Sequence, residues 1–455
     1  MPKKKTALTI EERLQQALVP AEEQPYEVPE NWVWVRLESV ASWGSGGTPS
    51  RKHEEYYNGD ILWIKTGELN NGWIYDTEEK ITDEGLKKSS AKLFPPYSVL
   101  IAMYGATIGK VAILGVPATT NQACACAVCN QSLLYMYLFY YCISQKNVFI
   151  EKGKGGAQPN ISQIILKQHP IPLPPLSEQQ RIVERIEELF AKLDEAKERL
   201  QEVVDSFAVR KAAILHKAFT GELTKQWRLE NGVSDESWEE KKGEEFFEYV
   251  TSGSRGWAKY YSDKGSIFVR MGNLNHGTIE LDFSDIQYVE LPDQVEGQRS
   301  KLQKNDILIS ITADVGMIGL VREDMDAYIN QHVALARPKD NLYAEFLAWY
   351  FVSDVGLKQM QNKQRGATKI GLGLQDIRNI ILKIPTLPEQ HEIVRLIDAL
   401  LARERAAQQA AEQALASIDL MKKSILARAF RGELSTNKAS EASALELLKQ
   451  VLAEN

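Results

Sequence analysis

Few residues in this chain have the type and spacing that chemistry needs. Cys124, Cys126 and Cys129 form a C-x-C-x2-C run, and thiolates at short spacing can hold zinc if a fourth ligand joins them. None of the six histidines lies close by. The run Ala123-Cys-Ala-Cys-Ala-Val-Cys129 also alternates small residues in an apolar segment, as a buried strand does. With Cys142, these free thiols fit a reducing compartment better than a disulfide framework. Gly105-Ala-Thr-Ile-Gly109-Lys110 resembles a phosphate loop but is one residue short and continues with Val111 where a Ser or Thr is needed. There is no Asn/Asp-Pro-Pro-Tyr/Phe segment of an amino-methyltransferase and no Gly-x-Gly cofactor loop after the first strand. The chain therefore reads as non-catalytic, with no metal and no cofactor of its own.

What remains is the chemistry of polar recognition. Two Gly-containing basic loops each precede a helix: Lys152-Gly-Lys154-Gly-Gly-Ala-Gln158 and Lys363-Gln-Arg365-Gly-Ala-Thr368-Lys369. Cations beside backbone N–H groups at a helix start favour phosphate. A second pair of loops carries Thr48, Ser50, Arg51 and Lys52, then Ser254, Arg255 and Lys259, with Tyr56, Tyr57 and Tyr260 alongside. Such side chains reach base edges, where Arg pairs with guanine and Asn or Gln with adenine. Lys65, Arg270 and Asn273, each after a strand, complete the candidate set. Each of these residues has a plain reading too, as surface charge or a solvated loop. Net charge is −7, which alone argues against a nucleic-acid partner. Residues 41–170 carry 12 Lys+Arg against 10 Asp+Glu, so bulk charge decides nothing. Asn121-Gln122 and Asn330-Gln331 recur, which favours a structural turn, since two different readers should not share a reading residue.

The elements that must position these loops are duplicated. Glu178-Gln179 matches Glu389-Gln390, Ile182-Val183 matches Ile393-Val394, and Ala218-Phe219-x-Gly-Glu-Leu223 matches Ala429-Phe430-x-Gly-Glu-Leu434, all at an offset of 211. Between those landmarks nothing is inserted. A loop tolerates length change, whereas a helix that fixes the separation and rotation of two bodies does not, because each residue adds about 1.5 Å and 100°. In the first copy Ile182, Ile186, Leu189, Leu193, Ala196, Leu200, Val203 and Phe207 alternate by four and three, an a/d seam. In the second, Ile393, Ile397, Leu400, Ile418, Met421 and Ile425 flank an Ala-rich middle. Prolines before each start and Gly221 and Gly432 after each end delimit helices of roughly 60 Å. Two such helices around a globular body most simply pair with each other.

The flanking segments correspond more loosely. Trp32 matches Trp238, Val99–Gly109 matches Ile307–Gly316, and the offset drifts from 206 to 211. Short β-rich runs at 61–64, 99–103, 111–114, 267–269, 307–311 and 318–321, with helices near 133–150 and 342–362, make each a mixed domain. The expected fold class is α+β: two mixed α/β domains separated by two long antiparallel helices in a coiled coil, with a pseudo-two-fold repeat. The expected segments are an N-terminal arm 1–30, a first domain 31–175, a spacer helix 176–224, a second domain 225–386, a second spacer helix 387–436 and a helical tail 437–455. No stretch approaches the ~18 apolar residues of a membrane helix, and the N-terminus has no apolar signal region. A cytoplasmic protein without membrane contact is expected.

The paired Pro-x-x-Glu-Gln-x-x-Ile-Val and Ala-Phe-x-Gly-Glu-Leu segments, with the Gly-Gly-Thr-Pro-Ser50 loop and Gly59-Asp-Ile-Leu-Trp-Ile64, resemble the specificity subunit of Type I restriction-modification systems over nearly the whole chain. That resemblance implies two target-recognition domains, each reading one half of a bipartite double-stranded DNA site. It implies spacer helices that set the gap and dock two methyltransferase subunits, with motor-nuclease restriction subunits added. S-adenosylmethionine, ATP and Mg would then belong to those partners. Two rival readings are a coiled-coil scaffold that binds only proteins and a DNA-modifying enzyme with unrecognised catalytic motifs.

Overall fold

A computed structural model describes residues 9–153, 160–292, 298–364 and 371–454. The chain divides into two units, Met1–Arg199 with Ala414–Asn455, and Leu200–Gln413. The first is built from two separate segments and the second from one, and each contains a head, one half of the first long helix and part of the second.

In the first unit the main sheet runs in the order Ala41–Ser45, Cys124–Cys129, Val99–Ala102, Val111–Leu114, Trp73–Ile74. Its central strand is apolar at every position because both faces are covered. Val99 and Ile101 point into a core with Tyr137, Leu138 and Phe430, while Leu100 and Ala102 point into a second with Ile64 and Leu114. A smaller sheet joins Lys80–Ile81, Tyr57–Ile64 and Thr119–Thr120, and Val33–Arg36 pairs with Pro170–Leu173. The second unit repeats the plan. Phe247–Ser252, Val333–Pro338, Ile307–Ser310 and Ile318–Leu320 form its main sheet, Ser266–Val269 pairs with Ala327–Ile329 in another, and Glu239–Lys242 pairs with Ile381–Ile384. The expected helices near 133–150 and 342–362 are each two, broken at Gln145 and at Ser353.

Strand alternation settles where the cysteines point. Cys124 and Cys126 face the second core, with Ala125 and Ala127 on the other side. Burial pushes the thiols of Cys126 and Cys129 up to about 12. Among the described residues no group of His, Cys, Asp and Glu could hold a metal ion, and no helix is long and apolar enough to cross a membrane.

The first long helix is not continuous. It comprises α1 (Leu176–Asp205) and α2 (Phe207–Phe219), whereas α3 (Leu387–Ala429) runs 43 residues unbroken. At the break the Ser206 hydroxyl donates to the Glu202 carbonyl and Arg210 Nη2 donates to the Val203 carbonyl at 3.1 Å. A serine bonding back one turn bends a helix in this way. In the first unit α1 lies antiparallel to the end of α3: Glu178 meets Thr436, and sixteen residues on, Asp194 meets Lys422 at 2.6 Å. In the second unit Arg210 pairs with Glu404 at 2.6 Å, and Thr224 with Glu389.

Ile182 and Ile186 are buried, while Leu189, Leu193, Leu200, Val203 and Phe207 are half-buried, as expected where one helix covers one side of another. In α3 Ile393, Ile397 and Ile418 are buried and Leu400 and Ile425 half-buried, but Met421 is 48% exposed. The covered stripe is Ile397, Leu401, Glu404, Gln408, Ala411, Leu415, Ile418 and Lys422. The expected Ile418 lies in this stripe, whereas Leu401 is covered more deeply than Leu400 and Lys422 in place of Met421, so every other seam position is off by one residue after Ile397. The Ala-rich stretch has no large side chain to mark the inward face, and Lys422 is drawn in by Asp194 and by the Phe190 ring, 5.0 Å away.

The repeated motifs are latches between helix and head. Gln179 Oε1 accepts from the Leu134 N–H at 2.8 Å and its Nε2 donates to the carbonyls of Ser132 and Pro174. Gln390 does the same with Tyr343 and Pro385. Glu178, fully buried, accepts from Trp32 Nε1, Asn437 Nδ2 and the Thr436 hydroxyl. Glu389, also fully buried, accepts instead from Thr224 and the Arg228 guanidinium, both at 2.7 Å. Phe430 stands edge-on to Tyr137 and Tyr141, and Phe219 packs on Phe346 and Tyr350. The N-terminal helix Ile10–Ala17 packs on the tail helix Ala444–Glu454, with Arg13 donating to the Leu452 carbonyl.

Candidate nucleic-acid interface

The loops that carry the polar candidates are pinned where they leave the main sheets. A Cβ on Gly46 would sit 1.7 Å from the Thr120 carbonyl oxygen, and one on Gly253 1.8 Å from that of Ile329. No other residue fits so close an approach. The following loops, Thr48–Lys52 and Ser254–Lys259, thus leave each unit at the same place. Asn121 and Asn330 make the matching turn, each side-chain oxygen accepting an N–H two residues on, so they are structural.

In the first loop Thr48 donates to Gln122, Ser50 Oγ faces the Lys52 N–H at 3.4 Å, and Lys52 is exposed with no ion-pair partner among the described residues. Arg51 lies 2.7 Å from the Glu79 carboxylate, and Lys65 Nζ approaches Glu79 at 2.9 Å and Glu78 at 3.3 Å. Those two cations hold the Glu79 carboxyl below the usual range, Arg51 contributing most. In the second loop Ser254 is bridged through its backbone to Asn330, Arg255 is exposed, and Lys259 sits 4.9 Å from the Tyr260 ring centroid. Arg270 meets Asp285 at 2.8 Å. Lys65 with Glu79 and Arg270 with Asp285 are the same device in both units. The sequence reading missed Glu79 and Asp285, because their separations from the cation, 14 and 15 residues, differ between the copies.

Asn273 is not available to a base. It is 3% exposed, its Oδ1 accepts from the Arg270 N–H, and its Nδ2 donates to the carbonyls of Asp282 and Asp285. Its counterpart Glu68 accepts from the Lys65 N–H in the same way. Lys152 also differs from a free phosphate contact. Its Nζ lies 3.1 Å from His169 Nδ1, and burial followed by the charge of Arg36 lowers its pKa. Lys363 is half-buried at the end of the helix Asp354–Asn362. Lys154, Gln158, Arg365, Thr368 and Lys369 lie outside the described residues.

The family model described as the Type I restriction modification DNA specificity domain matches this chain twice, at residues 29–205 and 235–414. The chain belongs to that family. Each match begins just before the strand that pairs with the end of its head and extends into the following long helix, so the family unit coincides with the duplicated unit of sequence. Among curated relatives of these specificity proteins, the EcoBI specificity subunit of Escherichia coli is 26% identical over 463 residues, covering 94% of this chain and 93% of the relative. The EcoKI specificity subunit of Escherichia coli strain K12 is 26% identical over 456 residues, covering 94% and 96%. Among solved structures, the HsdS subunit from Thermoanaerobacter tengcongensis superposes with a TM-score of 0.66 at 20% identity, over 90% of this chain and 99% of that one. A chain from a type I R-M system gives a TM-score of 0.62 at 21% identity, over 90% and 100%. These likenesses show the fold, two mixed domains and a coiled coil.

Proposed function

We propose that this chain is the non-catalytic DNA specificity subunit of a Type I restriction-modification complex, each head reading one half of a bipartite site. The observation that carries the reading is that the family match falls twice, on two copies that keep the same landmark spacing and the same glutamine latch while their loops differ. A shared frame with divergent loops is what one partner species, bound twice, and two different half-sites require. The long helices set the gap between half-sites and dock two methyltransferase subunits, to which restriction subunits are added in the cytoplasm. S-adenosylmethionine, ATP and Mg act on those partners. Of the candidate DNA contacts, Lys65 and Arg270 are shared by both units, each held by an acid, and so suit a role common to both half-sites that carries no sequence information. Thr48, Ser50, Arg51, Lys52, Ser254, Arg255 and Lys259 lie on loops that differ and suit base edges. Lys154, Gln158, Lys363, Arg365, Thr368 and Lys369 complete the proposed contacts, and Lys152, held by His169, stands behind them.

The test is to map methylated adenines genome-wide in cells carrying the chain with its methyltransferase partner. One asymmetric bipartite motif with a fixed gap, lost when the chain is deleted, is expected. Methylation that persists without the chain, or that ignores sequence, refutes the reading.

A further inference from the structure

One solvent-facing arginine in the first unit is held by more side chains than stability calls for. The Arg51 guanidinium carbon lies 4.3 Å from the Tyr57 ring centroid and 5.2 Å from that of Trp63, with Nη1 2.7 Å from Glu79. Its side chain is nonetheless 56% exposed. The holders are themselves fixed: the Tyr57 hydroxyl donates to the Pro49 carbonyl and Trp63 Nε1 donates to the Gly47 carbonyl. An exposed ion pair contributes little to stability. Three fixed side chains around an exposed guanidinium instead preorganise the donors left over, and a planar fork held in one orientation loses little entropy when it pairs with two acceptors. Among the described residues only Nη1 is engaged, which leaves the Nε and Nη2 edge free.

Charge argues for a base over a phosphate. Arg51 and Lys65 face Glu78 and Glu79, so the local charge is balanced and a phosphate meets no net attraction. A guanine edge needs two oriented donors and no net charge. The second unit fills the place differently. Phe268 stands where Trp63 stands, each paired with the residue two before the turn asparagine of the partner strand, and two rings pack on it, the buried indole of Trp257 at 5.6 Å and Tyr261 at 5.8 Å, with no cation over any of the three among the described residues. Residues that differ between the units can tell two half-sites apart, whereas shared ones cannot.

We infer that Arg51 reads a guanine in the first half-site, with Glu79 as the positioning residue that aims it. This rests on the function proposed above. Arg51→Ala and Glu79→Gln are introduced into the full chain, co-expressed with its methyltransferase partner. Methylated adenines are mapped, and the purified complex is titrated with duplexes carrying each base at each motif position. Arg51→Ala is expected to relax one guanine position in one half of the motif, leave the other half intact, and weaken cognate binding about ten- to a hundredfold. Glu79→Gln is expected to weaken the preference at that same guanine by a smaller factor.

An unchanged motif overturns the inference. So does relaxation in both halves, or a loss equal on all duplexes with a salt dependence shallower by about one, which marks a phosphate contact. Should Arg51→Ala prevent assembly, Arg51→Met keeps the stem but loses every donor; the same relaxation is expected, and a retained guanine overturns the inference. A wild-type complex without any bipartite motif is a different result and refutes the proposed function itself.

Discussion

The sister glutamates Glu178 and Glu389 permit a measurement of what a buried latch contributes. Both are fully buried, but Glu178 is held by three neutral donors, whereas Glu389 depends on Arg228 and Thr224. Glu389 Oε2 and the nearby Trp238 Nε1 are each without a hydrogen-bond partner among the described residues, although the corresponding Trp32 Nε1 donates to Glu178. Arg228→Met therefore strands a carboxylate with a single hydroxyl donor in a site closed to water. Removing one partner of a buried ion pair costs about 3–5 kcal/mol. Changing Glu389→Gln as well removes the stranded charge while Thr224 keeps its acceptor, so the double variant is expected to be more stable than Arg228→Met alone by about 2 kcal/mol. Urea unfolding supplies the free energies, and hydrogen exchange localises the loss to Thr224–Trp238 and the start of α3. A coupling below about 0.5 kcal/mol would show that the pair is not closed to water and that the latch is packing alone.

Three further outcomes are expected. His169 is 3% exposed and its pKa is depressed to about 3, by burial first and Lys152 second; the unfolded chain binds the proton between pH 6.5 and 3 while the folded chain does not. Stability is therefore lost as pH falls through that window, and His169→Ile, the residue type of its counterpart Ile380, should recover about 2 kcal/mol at pH 5 and little at pH 8 in urea titrations. Asn273→Ala should cost about 1–3 kcal/mol by leaving its buried partners unpaired, with no change of preferred base in a motif map; a changed base would restore it as a reader. Deleting residues 407–410 shortens α3 by about 6 Å and should alter the gap in the methylated motif or abolish assembly, and an unchanged gap with unchanged binding would remove the ruler argument.

The helices and their duplication were legible because a seam at fixed spacing and a constant offset leave a mark that no single loop can imitate. The latches were legible as motifs but not as contacts: nothing in Glu-Gln says that one side chain meets an indole in one copy and a guanidinium in the other. The seam register was lost where alanines replace large residues, since periodicity needs contrast between faces. Ser206 was unremarkable in sequence, as its break depends on hydrogen bonds back to Glu202 and on Arg210. Asn273 misled because a polar residue in a Gly-containing loop looks exposed, and only the fold turns its amide inward. The Arg51 cage needed one strand, Tyr57–Ile64, and two loops brought together, a juxtaposition that local pattern does not carry.

Independent reading by two heads is tested most directly by exchanging residues 31–175 for the matching segment of a relative with another target and mapping methylated adenines. One half of the motif should change to the relative's, with the gap and the other half retained. A change in both halves would contradict it.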